Sequence, residues 1–165
     1  MTDDAETRAD LEARFWKALR SDMTVMLGLD KETEQRPMTA QLASDEDRGP
    51  IWFFSAKDHD LNRRLEGATP ATFTFVSKGH DLWATVSGTL VEDMNRAMID
   101  KLWNPHVAAW YPGGKEDPSL SLLRFDPASA KIWKDGSSLM AGLLSLLGRD
   151  PQADYQDNTA TVNLR

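Results

Sequence analysis

The chain has no cysteine, which excludes disulfides, thiolate catalysis and cysteine-ligated metal centres. A reducing compartment suits that composition, and the cytoplasm is the expected location. Positive charge is in deficit, 19 Lys and Arg against 26 Asp and Glu, for a formal net charge of −7. With no basic stripe to offset it, neither nucleic acid nor an anionic membrane is an expected partner. Long apolar runs are missing too: the longest, residues 139–147, falls far short of the roughly 20 residues that span a bilayer. The opening MTDDAETRADLEARF is acidic and lacks the apolar core of a signal peptide. There is no G-x-G-x-x-G, P-loop, G-x-S-x-G or H-E-x-x-H pattern. Histidine is sparse: His59, His80 and His106 lie far apart with no short ligand spacing, so no metal site is expected.

What is present describes a globular domain. The 165 residues, 41% hydrophobic and 27% charged, fit one domain over 1–165 with a full core. An amphipathic helix is expected over 5–20, with Leu11, Phe15 and Leu19 on one face and Asp3 with Glu6 as a capping box. Strands are expected at 23–29, 35–42, 50–55, 71–77 and 82–90. Pro37 marks the second as an edge, a strand end or a bulge. In the fourth, Phe73, Phe75 and Ser77 alternate with Thr72, Thr74 and Val76, and 78–81 reads as a hairpin turn. A short helix at 60–65 precedes it. Asp93 is the expected cap of a helix carrying Met94, Met98 and Leu102, which Pro105 stops. Two further strands, 119–125 and 128–133, flank a turn at Asp126-Pro127. A helix at 137–147 and a last strand at 161–164 complete the chain. Six or seven strands linked mostly by turns favour an antiparallel barrel with peripheral helices over a doubly wound parallel sheet.

Chemistry is harder to place. The carboxylates are scattered over polar segments, and no catalytic pair or Ser/His/Asp set stands out. Redox chemistry here would need a cofactor. The six tryptophans are more informative, because indole fills volume and offers a flat face to a ring. Trp52, Phe53 and Phe54 lie together on a strand. Trp103, Trp110 and Tyr111 flank a loop, and Trp133 ends a late strand. Core and interface packing accounts for most aromatic side chains.

The segments Arg36-Pro37-Met38-Thr39, Trp52-Phe53-Phe54-Ser55, Val86-Ser87-Gly88 and Leu102-Trp103 occur in that order. Ala109-Trp110-Tyr111-Pro112-Gly113-Gly114-Lys115-Glu116-Asp117-Pro118 and Leu122-Leu123-Arg124 follow. The ordered set resembles the general stress protein branch of the pyridoxamine 5′-phosphate oxidase-like, FMN-binding split-barrel family. The resemblance implies a mainly β fold, a six-stranded Greek-key split barrel over about 23–133, with a C-terminal helix and tail at 137–165. It implies a homodimer with FMN between the subunits.

By the same resemblance, the strand from Arg36 to Gln41, with Arg36, Pro37, Met38 and Thr39, lies along the isoalloxazine, with Arg36 at the phosphate. Phe54 and Ser55 form an aromatic–hydroxyl pair, the hydroxyl facing the phosphate. Trp83 stands where related oxidases place a flavin-contacting glutamine. Trp110, Tyr111 and Trp133 come across the dimer interface. Where family members carry a phosphate-gripping Ser-x-Lys, this chain has His59-Asp60-Leu61. Losing one charge-assisted contact costs roughly 1.5–3 kcal/mol; Lys57, Arg63 and Arg64 are the nearby cations that either replace it or are solvated surface charges. The implied function is flavin-dependent oxidoreduction with a small-molecule donor or acceptor. A non-catalytic flavin-binding or storage module, or a member that has lost flavin, is the alternative.

Overall fold

The computed structural model describes residues 2–135, 146–148 and 158–165. Helix α1 (Thr2–Asp22) buries Leu11, Phe15, Trp16 and Leu19 along one stripe, as the spacing predicts; the side chains of the expected Asp3–Glu6 capping box lie outside the described residues. The helix ends at Met23, which adopts a left-handed φ of 60°, uncommon for a residue with a Cβ. This reversal feeds the chain directly into strand β1 (Thr24–Leu29).

Strands β2 (Arg36–Thr39), β3 (Gln41–Leu42), β4 (Ile51–Ala56), β5 (Thr69–Val76), β6 (Leu82–Glu92), β7 (Leu120–Lys134) and β8 (Thr159–Asn163) follow. The sheet order is β2-β1-β5-β6-β7-β4-β3, with β8 beside β7. Every pairing is antiparallel. β2 and β3 are the halves of one strand broken at Ala40. The first half bonds to β1 and the second to β4, so one bent strand joins the two edges and nearly closes a barrel of six strands. The Ala40 amide, directed to the Met23 carbonyl at 2.7 Å, secures the bend. Pro37 sits on the half with a free edge, where its missing N–H removes no ladder bond.

The alternation along β5 puts Ala71, Phe73 and Phe75 inside. Phe73 meets Phe53 and Phe125 edge-on at centroid distances of 6.5 and 5.1 Å. Phe15 of α1 meets Phe75 at 6.3 Å, so the helix covers the barrel core. A second apolar cluster forms outside the barrel, where Trp52, Leu120 and Leu122 of β4 and β7 meet Ile99, Leu102, Val107 and Tyr111. Two short helices, α3 (Arg96–Leu102) and α4 (Pro105–Ala108), supply part of that cover. Among the described residues, no helix is long and apolar enough to cross a membrane.

Three sequence expectations change. The two strands expected around Asp126-Pro127 are the single strand β7. There the register against β6 steps from Ser87↔Ser129 to Gly88↔Pro127, so Ala128 bulges out of that ladder and its carbonyl accepts from Leu164 N–H at 3.0 Å. A bulge accommodates the proline without ending the strand. Gly88 is obligatory opposite it, because a Cβ there would stand 2.2 Å from the Asp126 carbonyl oxygen. The cap of α3 is Asn95, which accepts from Met98 N–H at 3.1 Å; Asp93 instead pairs with Arg124. The short helix after β4 is α2 (Asp60–Arg63). Residues 137–145 of the expected C-terminal helix lie outside the described residues.

Candidate functional site

Because β3, not β2, pairs with β4, the barrel opens into a cleft between β2 and the end of β4. Its volume is about 450 Å³, within the range of small-molecule sites. All four residues of β2 line it, facing Phe54, Ser55 and Ala56 of β4. Gln41, His59, His106, Val107, Trp110, Tyr111 and Ser119 complete the wall. Among the described residues no carboxylate lines the cleft, in a chain with a net charge of −7.

Local structure fixes the far wall. Asn104 caps α4, accepting from the amides of His106 and Val107 at 2.9 and 3.0 Å, with Pro105 in the first turn. This holds His106 at the cleft. Tyr111 donates its hydroxyl to the Ser55 carbonyl at 2.5 Å. Burial, with Asp117 adding its negative charge, pushes the Tyr111 hydroxyl up to about 12, so it remains a donor at neutral pH. Trp103 packs between Phe54 and Tyr111, at 6.0 and 6.1 Å. The loop after Tyr111 turns at Gly114, φ 67°. Asp117 ties that loop to Ser119 and Gly113 through their amides, and these bonds with the Ser119 hydroxyl hold its carboxyl below the usual range. Trp110 stands at the rim, 81% exposed.

On the near wall, Arg36 lays its guanidinium Nη1 against both ring nitrogens of His59. Its Nε is buried and has no hydrogen-bond partner. An unsatisfied buried donor is costly, and this one belongs to a cation set between the cleft, where no described residue is acidic, and an adjoining cavity that Glu32, Glu34 and Asp60 line. The set suits an anionic group of a ligand.

Of the residues singled out from the sequence, Arg36, Pro37, Met38, Thr39, Phe54, Ser55, Trp110 and Tyr111 come together here. Trp110 and Tyr111 reach the cleft of their own chain, and Tyr111 is bonded within it. Lys57 is exposed past the end of β4 and does not line the cleft. Trp83 and Trp133 are also outside it: they pair with each other across β6 and β7, and Lys131 Nζ lies 5.1 Å from the Trp133 ring centroid. His106, Val107 and Ser119 were not legible as site residues, because folding brings them in from separate segments, and His59 entered only as the first residue of the stretch that stands in place of the Ser-x-Lys. Two of the three histidines thus share one cleft. Even so, among the described residues no group of three or more His, Cys, Asp or Glu side chains could hold a metal ion.

Residues 10–153 match the family described as pyridoxamine 5′-phosphate oxidase like. The chain belongs to that family. Solved structures of similar proteins agree with this pyridoxamine oxidase-like assignment. A general stress family protein of Xanthomonas campestris pv. campestris is 55% identical, with a TM-score of 0.74 over 79% of this chain and 90% of its own. The general stress FMN/FAD binding protein of Xanthomonas citri has the same identity and TM-score, over 79% and 92%. General stress protein 26 of Jannaschia sp. CCS1 is 34% identical, TM-score 0.77, over 94% and 98%. Protein bli-3 of Neurospora crassa is 28% identical over 98 residues, 54% of this chain; the match spans about half, 47%, of bli-3.

Proposed function

We propose that the cleft binds FMN and that the chain is a flavin-dependent oxidoreductase of the general stress protein group, acting as a cytoplasmic homodimer. The observation that carries this reading is a cleft of about 450 Å³, lined by no carboxylate among the described residues and holding an arginine with an unpartnered buried Nε. Bound flavin supplies hydride and electron transfer; the protein supplies binding, orientation and shielding. Arg36 would hold the phosphate, for which a guanidinium is well matched. Pro37, Met38, Thr39, Phe54 and Tyr111, which line the same cleft, would hold the ring system. Trp110, exposed at the rim, is covered by the second copy, and Lys57, Trp83 and Trp133 reach a cleft only from that copy. The xanthomonad relative, named as an FMN/FAD binding protein, supports the flavin class.

The test is titration of purified protein with FMN, followed by flavin fluorescence, with light scattering for mass. Quenching at a dimeric mass is expected. Unquenched flavin defeats the cofactor reading, and a stable monomer defeats the shared site. Bleaching of bound flavin by NAD(P)H under anaerobic conditions marks an oxidoreductase. Bound flavin that resists every donor marks a non-catalytic flavin-binding module.

A further inference from the structure

Ser55 and Ser121 are cross-strand partners on β4 and β7, both buried, and Asn62 of α2 bridges them. The Ser55 hydroxyl donates to Asn62 Oδ1 at 2.6 Å. Asn62 Nδ2 donates to the Ser121 hydroxyl oxygen at 2.7 Å. The Ser121 hydroxyl donates to Glu92 Oε2 at 2.6 Å, and Glu92 is exposed on β6.

The direction of this chain follows from its outer end. An ionised carboxylate only accepts. Ser121 must therefore spend its one proton on Glu92 and can only accept from Asn62. That places the Asn62 NH₂ toward Ser121 and its oxygen toward Ser55. Ser55 in turn gives its one proton to Asn62. Ser55 is also a lining residue of the cleft, and what its hydroxyl has left for an occupant there is a lone pair.

We infer that Glu92, acting through Ser121 and Asn62, is a positioning residue that makes Ser55 a hydrogen-bond acceptor selecting a donor group of the ligand, a polyol hydroxyl or ring N–H. This deepens the flavin reading and rests on it. It replaces the phosphate-donor role expected of Ser55: the Ser55 proton is committed to Asn62, and anionic oxygen is left to Arg36. The ribityl hydroxyls and the ring N–H of a flavin are donors of the required kind.

Glu92→Lys puts a donor where the carboxylate accepts. Ser121 then accepts from it and donates inward, the Asn62 amide turns over, and Ser55 is left with a free proton. Riboflavin is the probe, because it is neutral and carries no phosphate. Its affinity, read by fluorescence quenching, is expected to fall about three- to tenfold in Glu92→Lys, the worth of one hydrogen bond. Glu92→Gln, which keeps an accepting oxygen, is expected to restore it. Unchanged riboflavin binding in Glu92→Lys, or equal loss in both variants, overturns the inference.

A ligand-free measurement separates this failure from that of the flavin reading. In a double-mutant cycle of Ser55→Ala with Glu92→Lys, the combined change in the unfolding equilibrium should depart from the product of the single changes by about threefold or more. Simple multiplicativity overturns the relay. Wild-type protein that quenches neither flavin overturns the flavin reading, and the cycle still judges the relay.

Discussion

Replacing Arg36 with methionine should separate ligand binding from stability, moving them in opposite directions. Methionine keeps the unbranched stem and deletes the guanidinium, with its unpartnered buried Nε and its contact on the His59 ring. A buried donor left unsatisfied costs about 1–3 kcal/mol. Some of that returns when the group is removed, so the ligand-free variant should gain about 1 kcal/mol, or roughly 2–4 °C in Tm for a chain of this size. The loss appears on binding. A guanidinium–phosphate bond is worth about 1.5–3 kcal/mol, so FMN affinity should fall about ten- to a hundredfold. Riboflavin, with no phosphate, should bind as it does to wild type. Thermal melts of the free protein and parallel titrations with both flavins make the comparison. Equal weakening of FMN and riboflavin would show that Arg36 does not meet the phosphate. A lowered Tm would show that the arginine supports the fold instead of straining it.

Gly88→Ala should destabilise by about 2 kcal/mol or more, seen as a lowered urea midpoint, because the new Cβ collides with backbone at the bulge. Tyr111 gives an alkaline signature. Its folded value of about 12 exceeds the roughly 10 of an unfolded tyrosine, so between those values the unfolded chain loses a proton that the folded chain keeps. Stability contributed by the protonated phenol is therefore complete below about pH 10 and declines toward pH 12. Tyr111→Phe should flatten that part of the unfolding profile; an unaltered slope would remove the tyrosine as its cause. Trp110→Glu should leave the melting temperature of the protomer nearly unchanged, since the side chain is 81% exposed, while halving the mass in light scattering. A mass unaffected by this substitution would place the interface elsewhere.

The β5–β6 hairpin was legible because its information is local: Phe73 and Phe75 alternate with threonines, and a polar turn follows. The bulge in β7 was not. Asp126-Pro127 carries the local signal of a turn, and only pairing of Gly88 with Pro127 and capture of the Ala128 carbonyl by Leu164 carry the strand through it. The cap of α3 failed for a related reason. Asp93 and Asn95 both have the right chemistry, but Arg124 from a distant strand claims Asp93. At the site, Arg36, Phe54, Ser55 and Tyr111 were found through an ordered resemblance spread over the chain. His106 carried no pattern and His59 stood out only as a departure from the Ser-x-Lys, since their meeting depends on α2 and α4 docking against the same opening. The Ser55 relay was equally hidden: its members come from four elements, and its direction depends on a carboxylate remote in sequence.

The strand bent at Ala40 makes the two rims of the opening mechanically dependent. Spreading them pulls on one continuous piece of backbone, stitched at its corner to the end of α1 by the Ala40–Met23 bond. A molecule lodged in the gap should therefore slow amide exchange well away from its own contacts, at Ala40 and at the paired amides of β1. The barrel wall would then report on its cargo.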